Sequence, residues 1–107
     1  MDFDERDWKV LRDLKTVALD RYCAQVLEEC ARLIEDDTIS SHDRYLRLYE
    51  LIHERDKTLS DAFDGMSRSK AIFRLMAIRN LELITDDEFA RFTPQLRERI
   101  QYFLSGG

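Results

Sequence analysis

From Trp8 to Leu33, apolar residues return every three or four positions: Trp8, Leu11, Leu14, Ala18, Tyr22, Val26, Cys30 and Leu33. That period marks a helix with one apolar face and predicts a first helix from about Asp4 to Glu35. Most steps are four residues, longer than one helical turn, so the stripe drifts around the axis. A helix with a drifting stripe wraps its partners or bends, and a bend is expected near Thr16 to Asp20. The segment EDDTISSHD reads as a loop in which Ser40 or Ser41 caps the next helix. That second helix is expected over about His42 to Phe63. Its buried face is read as Tyr45, Leu48, Tyr49, Ile52, Leu59 and Phe63, with Arg47, Glu50, Glu54, Lys57 and Asp61 opposite. Gly65 suits a left-handed residue beyond the helix end. Ser67 reads as the cap of a third helix running to about Leu83, with Ile72, Leu75, Met76 and Ile78 toward the core. Thr85-Asp-Asp-Glu88 has the form of a capping box and predicts a short helix through Phe92. Thr93-Pro94 starts a last helix, a cap followed by proline in the first turn, to about Leu104.

These elements make an all-α fold: a small helical bundle of three main antiparallel helices plus two short C-terminal helices. The 107 residues read as one domain, 1–107. One Pro and three Gly leave too little turn chemistry for a strand-rich alternative. No N-terminal apolar run reads as a signal peptide, and no apolar run approaches the length of a membrane span. Cys23 and Cys30 lie seven residues apart, about 10 Å along one helix. That is too far for a mutual disulfide, so both read as reduced core thiols. A cytoplasmic protein of bacterial type is the resulting expectation.

Candidate chemistry is sparse. Glu50-x-x-His53 is half of a carboxylate-bridged di-metal pattern. The only other histidine, His42, has no glutamate three residues before it. Asp56 falls by helical angle within the apolar stripe of the second helix, so it is a buried polar candidate needing a partner such as a Tyr hydroxyl or an Arg. A binding-groove acid is its functional alternative. No Gly-rich phosphate loop, Cys–His metal spacing or Ser–His–Asp arrangement is present. The expectation is a non-enzymatic protein with no catalytic residues, no cofactor and no metal.

Charge changes the picture at one place. The formal net charge is -5, yet GMSRSKAIFRLMAIRN carries Arg68, Lys70, Arg74 and Arg79 and no acid. The fragment LSDAFDGMSRSKAI resembles the turn and recognition-helix start of bacterial helix-turn-helix proteins. Ala62, Gly65, Met66 and Ser67 stand at the matching positions. The resemblance implies Arg68, Ser69, Lys70 and Arg74 as DNA contacts. Helical angles give a second reading. Lys70, Phe73, Arg74 and Ala77 share the face away from Ile72 and Leu75. Phe73 there either packs beneath the C-terminal helices or anchors an aromatic-basic surface of the kind enriched at interface hot spots. The leading expectation is a protein-interaction or adaptor protein, self-associating or bound to another protein, with Lys70, Phe73, Arg74 and Ala77 as its contact residues. The alternative is a helix-turn-helix-like transcriptional regulator using residues 65–80.

Overall fold

The computed structural model describes residues 3–106, and the described chain is all-α. Met1, Asp2 and Gly107 lie outside the described residues. The helices are α1 (Glu5–Ile34), α2 (Ser41–Phe63), α3 (Ala71–Asn80), α4 (Asp86–Phe89) and α5 (Pro94–Leu104). The main packing runs α1 on α2, α2 on α3 and α3 on α5.

α1 begins where the Asp4 side chain accepts from the Asp7 amide and runs unbroken for 30 residues, through the stretch where a bend was expected. The drift of its stripe matches the wrapping alternative. Leu11, Leu14 and Ala18 face a basal cluster made with α3, α4 and α5, whereas Cys30 lies farther up, outside that cluster. One continuous helix thus presents different angles to different neighbours. α2 is antiparallel to α1. The Tyr22 hydroxyl donates to the Arg55 carbonyl (2.9 Å), and near the other end Arg44 donates to the Ile34 carbonyl (2.5 Å). Ser40 is the cap of α2, accepting from the Asp43 amide.

The core gathers at one end. Leu11, Ala18, Ala71, Leu75, Ile78, Leu83, Phe92 and Ile100 are almost completely buried there, joined by Phe63, Phe89 and Leu96. The rest of the α1–α2 hairpin projects from this base, giving a molecule of 52 × 27 × 25 Å. The expected buried face of α2 is therefore corrected. Phe63 is buried and Leu48 and Leu59 are half-buried, but Tyr45, Tyr49 and Ile52 are exposed. The reason is the shortness of α3, whose 10 residues cover only the basal end of the 23-residue α2.

The helix ends account for most remaining differences from the sequence expectation. Ser67 does not cap α3. It pairs with the Ser69 hydroxyl in a turn, and α3 starts at Ala71. α3 also stops early, at Asn80. The Leu83 amide bonds the Ile78 carbonyl and the Glu82 amide bonds the Arg79 carbonyl. That is a Schellman end, and it puts Glu82 at a left-handed φ of 58°. Gly65 takes a φ of 65° after α2. The capping box at Thr85 and Glu88 forms with both bonds present, though α4 lasts one turn rather than reaching Phe92. α5 starts at Thr93-Pro94.

One basal contact had no clear signal in the sequence. Asp7, 3% exposed, accepts from the Thr93 amide (2.8 Å) and from its hydroxyl (2.7 Å). A carboxyl one turn into α1 thereby fastens the start of α5.

Candidate protein-interaction surface

The residues of α3 singled out from sequence occupy two settings. Arg68, Ser69 and Lys70 precede the helix, in the turn after α2. Arg68 pairs with Glu5 and lies over the Trp8 ring, 5.3 Å from its centroid. Arg74 donates to the Asp61 carbonyl, helping to close the C-terminal end of α2. Phe73 is 65% exposed, so it does not pack beneath the C-terminal helices. It lines a shallow groove of about 180 Å³ with Ile72, Met76, Arg99 and the exposed Phe103. Ala77 is half-buried against the core. The structure thus leaves Phe73 and Lys70 outward and engages Arg68 and Arg74 within the fold.

Asp56 is exposed, which corrects the expectation that it is buried. The stripe to which it belongs faces solvent along most of its length. Glu50 and His53 are also exposed, and the His53 ring lies parallel to that of Tyr49 with centroids 6.3 Å apart. Among the described residues no three His, Cys, Asp or Glu side chains converge as a metal site would require. No helix among them is long and apolar enough to cross a membrane.

The larger surface lies on the hairpin. α2 buries only Ala62 and Phe63 at its last turn. Leu27, Tyr45 and Tyr49 are each more than two-thirds exposed, and Ile34 and Ile52 about half. They belong to one face. A groove of about 370 Å³ runs between the helices, lined by Cys23, Leu27 and Cys30 on α1 and by Ile52, Asp56 and Leu59 on α2. Toward the tip a second depression is lined by Ile34, Tyr45 and Leu48. Cys30 is buried and Cys23 half-buried, both as free thiols.

Spacing explains why the two helices open a seam here. On α2 the face reads Tyr45, Tyr49, Ile52, Asp56, Leu59, Phe63, in steps of four and three. On α1 it reads Cys23, Leu27, Cys30, Ile34, again in steps of four and three. Steps of this kind define the seam of a helix that packs against another helix. At the base, Phe63 finds its cover within the chain. Higher up, no helix among the described residues covers the seam. Contiguous exposed apolar area of this kind marks interaction surfaces.

Charged pairs hold the hairpin and its base in shape. Arg55 makes a two-pronged contact with Glu29 across the hairpin (3.2 and 3.0 Å), which lowers the Glu29 pKa and raises that of Arg55. At the base, Arg21 donates to both Glu88 oxygens (2.6 and 3.0 Å) and to the Leu83 carbonyl (2.9 Å). The Arg21 bonds, with the Thr85 amide next in weight, hold the Glu88 carboxyl at about 2. These groups are each tied to a structural partner, and their shifts come from those bonds.

Comparison with protein-family models, with curated proteins and with solved structures finds no match to this chain.

Proposed function

We infer that this chain is a non-enzymatic protein-interaction module whose working surface is the open face of the α1–α2 hairpin. In this reading α1, α2 and α3 form the main bundle, with α4 and α5 bracing its base, and the projecting hairpin takes a helical partner. One observation carries it: a 23-residue helix that buries two residues, with tyrosines and isoleucine aligned on a side no other helix covers. Leaving large aromatic and aliphatic side chains in water forgoes roughly 1.5–3 kcal/mol each. A partner helix recovers that free energy. Phe73 and Phe103 form a second, smaller apolar patch at the other end of the molecule.

The DNA-reading alternative has less support. Arg68 and Arg74 already serve bonds within the fold, and Arg68, Ser69 and Lys70 lie in a turn rather than on the face of α3.

A photo-crosslinking amino acid at Tyr49 tests the reading, with the same group at exposed Glu98 as control. In cells that make the protein, the expected result is discrete protein adducts from position 49 and few from 98. Absence of any adduct at 49, to another protein or to the chain itself, would refute it.

A further inference from the structure

Resting on that reading, we propose that the occupant of the hairpin face is a second copy of this chain, antiparallel to the first, so that two hairpins close into a four-helix bundle. Three features of the face favour a copy over an unrelated helix.

The first is self-complementary register. In an antiparallel pair of seams about a two-fold axis, α1 residues pair when they are equidistant from its centre. Cys23 then meets the partner's Ile34, and Leu27 meets the partner's Cys30. On α2, Tyr49 meets the partner's Ile52, and Tyr45 meets the partner's Asp56. One axis must serve both helices. Side-chain hydrogen bonds place Tyr22 near the level of Arg55 and Ile34 near that of Arg44. Halfway between these levels, α1 is at residue 28 and α2 lies between Tyr49 and Glu50. An axis between Leu27 and Cys30 therefore also passes between Tyr49 and Ile52, to within about one and a half residues, ~2.2 Å of rise.

The second is the single acid in the seam. Asp56 is the one charged side chain among the seam positions, and burying it alone is unfavourable. The register sets it opposite the Tyr45 hydroxyl of the other copy, which can donate to it, twice per dimer by symmetry. A polar residue inside a helical seam fixes register and partner number, and here its match lies in the same sequence.

The third is area. Leu27, Ile34, Tyr45, Tyr49 and Ile52 at half to two-thirds exposure offer on the order of 500 Å² per copy, given that large side chains bury ~150–250 Å² when fully covered. With the groove lining and charged rim this approaches the ~800 Å² per partner of a standard stable interface.

The test combines mass with register. By sedimentation equilibrium, the chain at about 100 μM is expected near twice its 12.8 kDa, returning to 12.8 kDa on dilution. Tyr49→Glu and Leu27→Glu should each hold it at the monomer mass with unchanged helical circular dichroism, and Phe73→Ala should leave the dimer intact. For register, Ile34→Cys in a Cys30→Ser background is oxidised with copper phenanthroline. Its new thiol lies 11 residues from Cys23, too far for an internal bond. A covalent dimer mapped to Cys23 and position 34 supports the register; Glu28→Cys in the same background should remain monomeric. A wild-type chain monomeric at 100 μM, a dimer dissolved by Phe73→Ala but not by Tyr49→Glu, or a crosslink between other positions would each overturn the proposal. A monomeric chain that still yields adducts to another protein at position 49 rejects only the second copy as occupant. A monomeric chain with no adducts rejects the interaction reading as well.

Discussion

Removing the Asp7 carboxyl should be among the most damaging single changes in the molecule outside its apolar core. Its two oxygens accept from the amide and the hydroxyl of Thr93, at 2.8 and 2.7 Å, in a site where Asp7 is 3% exposed. Hydrogen bonds with an ionised partner contribute ~1.5–3 kcal/mol each, and a donor left without a partner adds to the loss. Thr93 is half-buried, so water reaches it in part and lowers the total. Asp7→Ala is therefore expected to cost about 3 kcal/mol, a large share of the ~5–15 kcal/mol that holds a domain together. Thr93→Ala removes only the hydroxyl bond and the α5 cap and should cost about 1.5–2 kcal/mol. Thr93→Ser keeps both and should stay within about 1 kcal/mol. The two groups act as a pair, so the double variant should fall short of the sum by about 1 kcal/mol. Urea unfolding followed by circular dichroism, at a concentration where each variant is monomeric, measures all four. A cost below about 1 kcal/mol for Asp7→Ala, or strict additivity with Thr93→Ala, would refute the assignment of this contact.

Three further expectations follow from other parts of the fold. Leu75→Ala, at a fully buried position, should cost ~2–5 kcal/mol, while Tyr49→Ser and Ile52→Ser should change monomer stability by less than about 1 kcal/mol; urea titrations that reverse this order would contradict the exposed hairpin face. Glu82→Gly should raise the melting temperature of the monomer, because a left-handed φ of 58° strains any residue with a Cβ by roughly 1 kcal/mol; a lowered value would count against the Schellman end of α3. Glu88 titrates at about 2 when folded against an ordinary 4.5, so its contribution is present above pH 4.5 and is lost as pH falls toward 2. Glu88→Gln should flatten the stability profile across that window, and an unchanged slope by acid titration would show that Arg21 does not hold the carboxylate.

Helix positions and caps were legible because their causes are local. Ser40, Thr85 and Thr93 act at the ends their neighbours imply, and Thr85 and Glu88 cap each other as the spacing requires. The side toward which a stripe faces is not local. Tyr45, Tyr49 and Ile52 have the spacing of a buried face, and the same spacing serves a face buried by another molecule. Periodicity records that a face is apolar and leaves its cover unspecified. The start of α3 was misplaced because Ser67 has cap chemistry, yet the chain needs a turn through Lys70 to bring Ala71 and Leu75 onto the core. Asp7 could not be singled out among the acids near the start, since its partner lies 86 residues away. Phe73 was placed on the correct side of α3 by helical angle, and only the length and path of α5 determined that it stays uncovered.

The chain has one tryptophan, Trp8, and it sits in the base beneath Arg68. Nineteen residues of continuous helix separate it from Leu27, about 29 Å at 1.5 Å per residue. The molecule therefore carries its own optical label, and that label is remote from the open face. Its emission reports melting of the basal cluster and should be nearly blind to events at the hairpin. An intensity change at Leu27 or Tyr49 needs a dye placed there, whereas loss of the base needs none. Occupancy and unfolding can thus be followed as two separate optical channels in one sample.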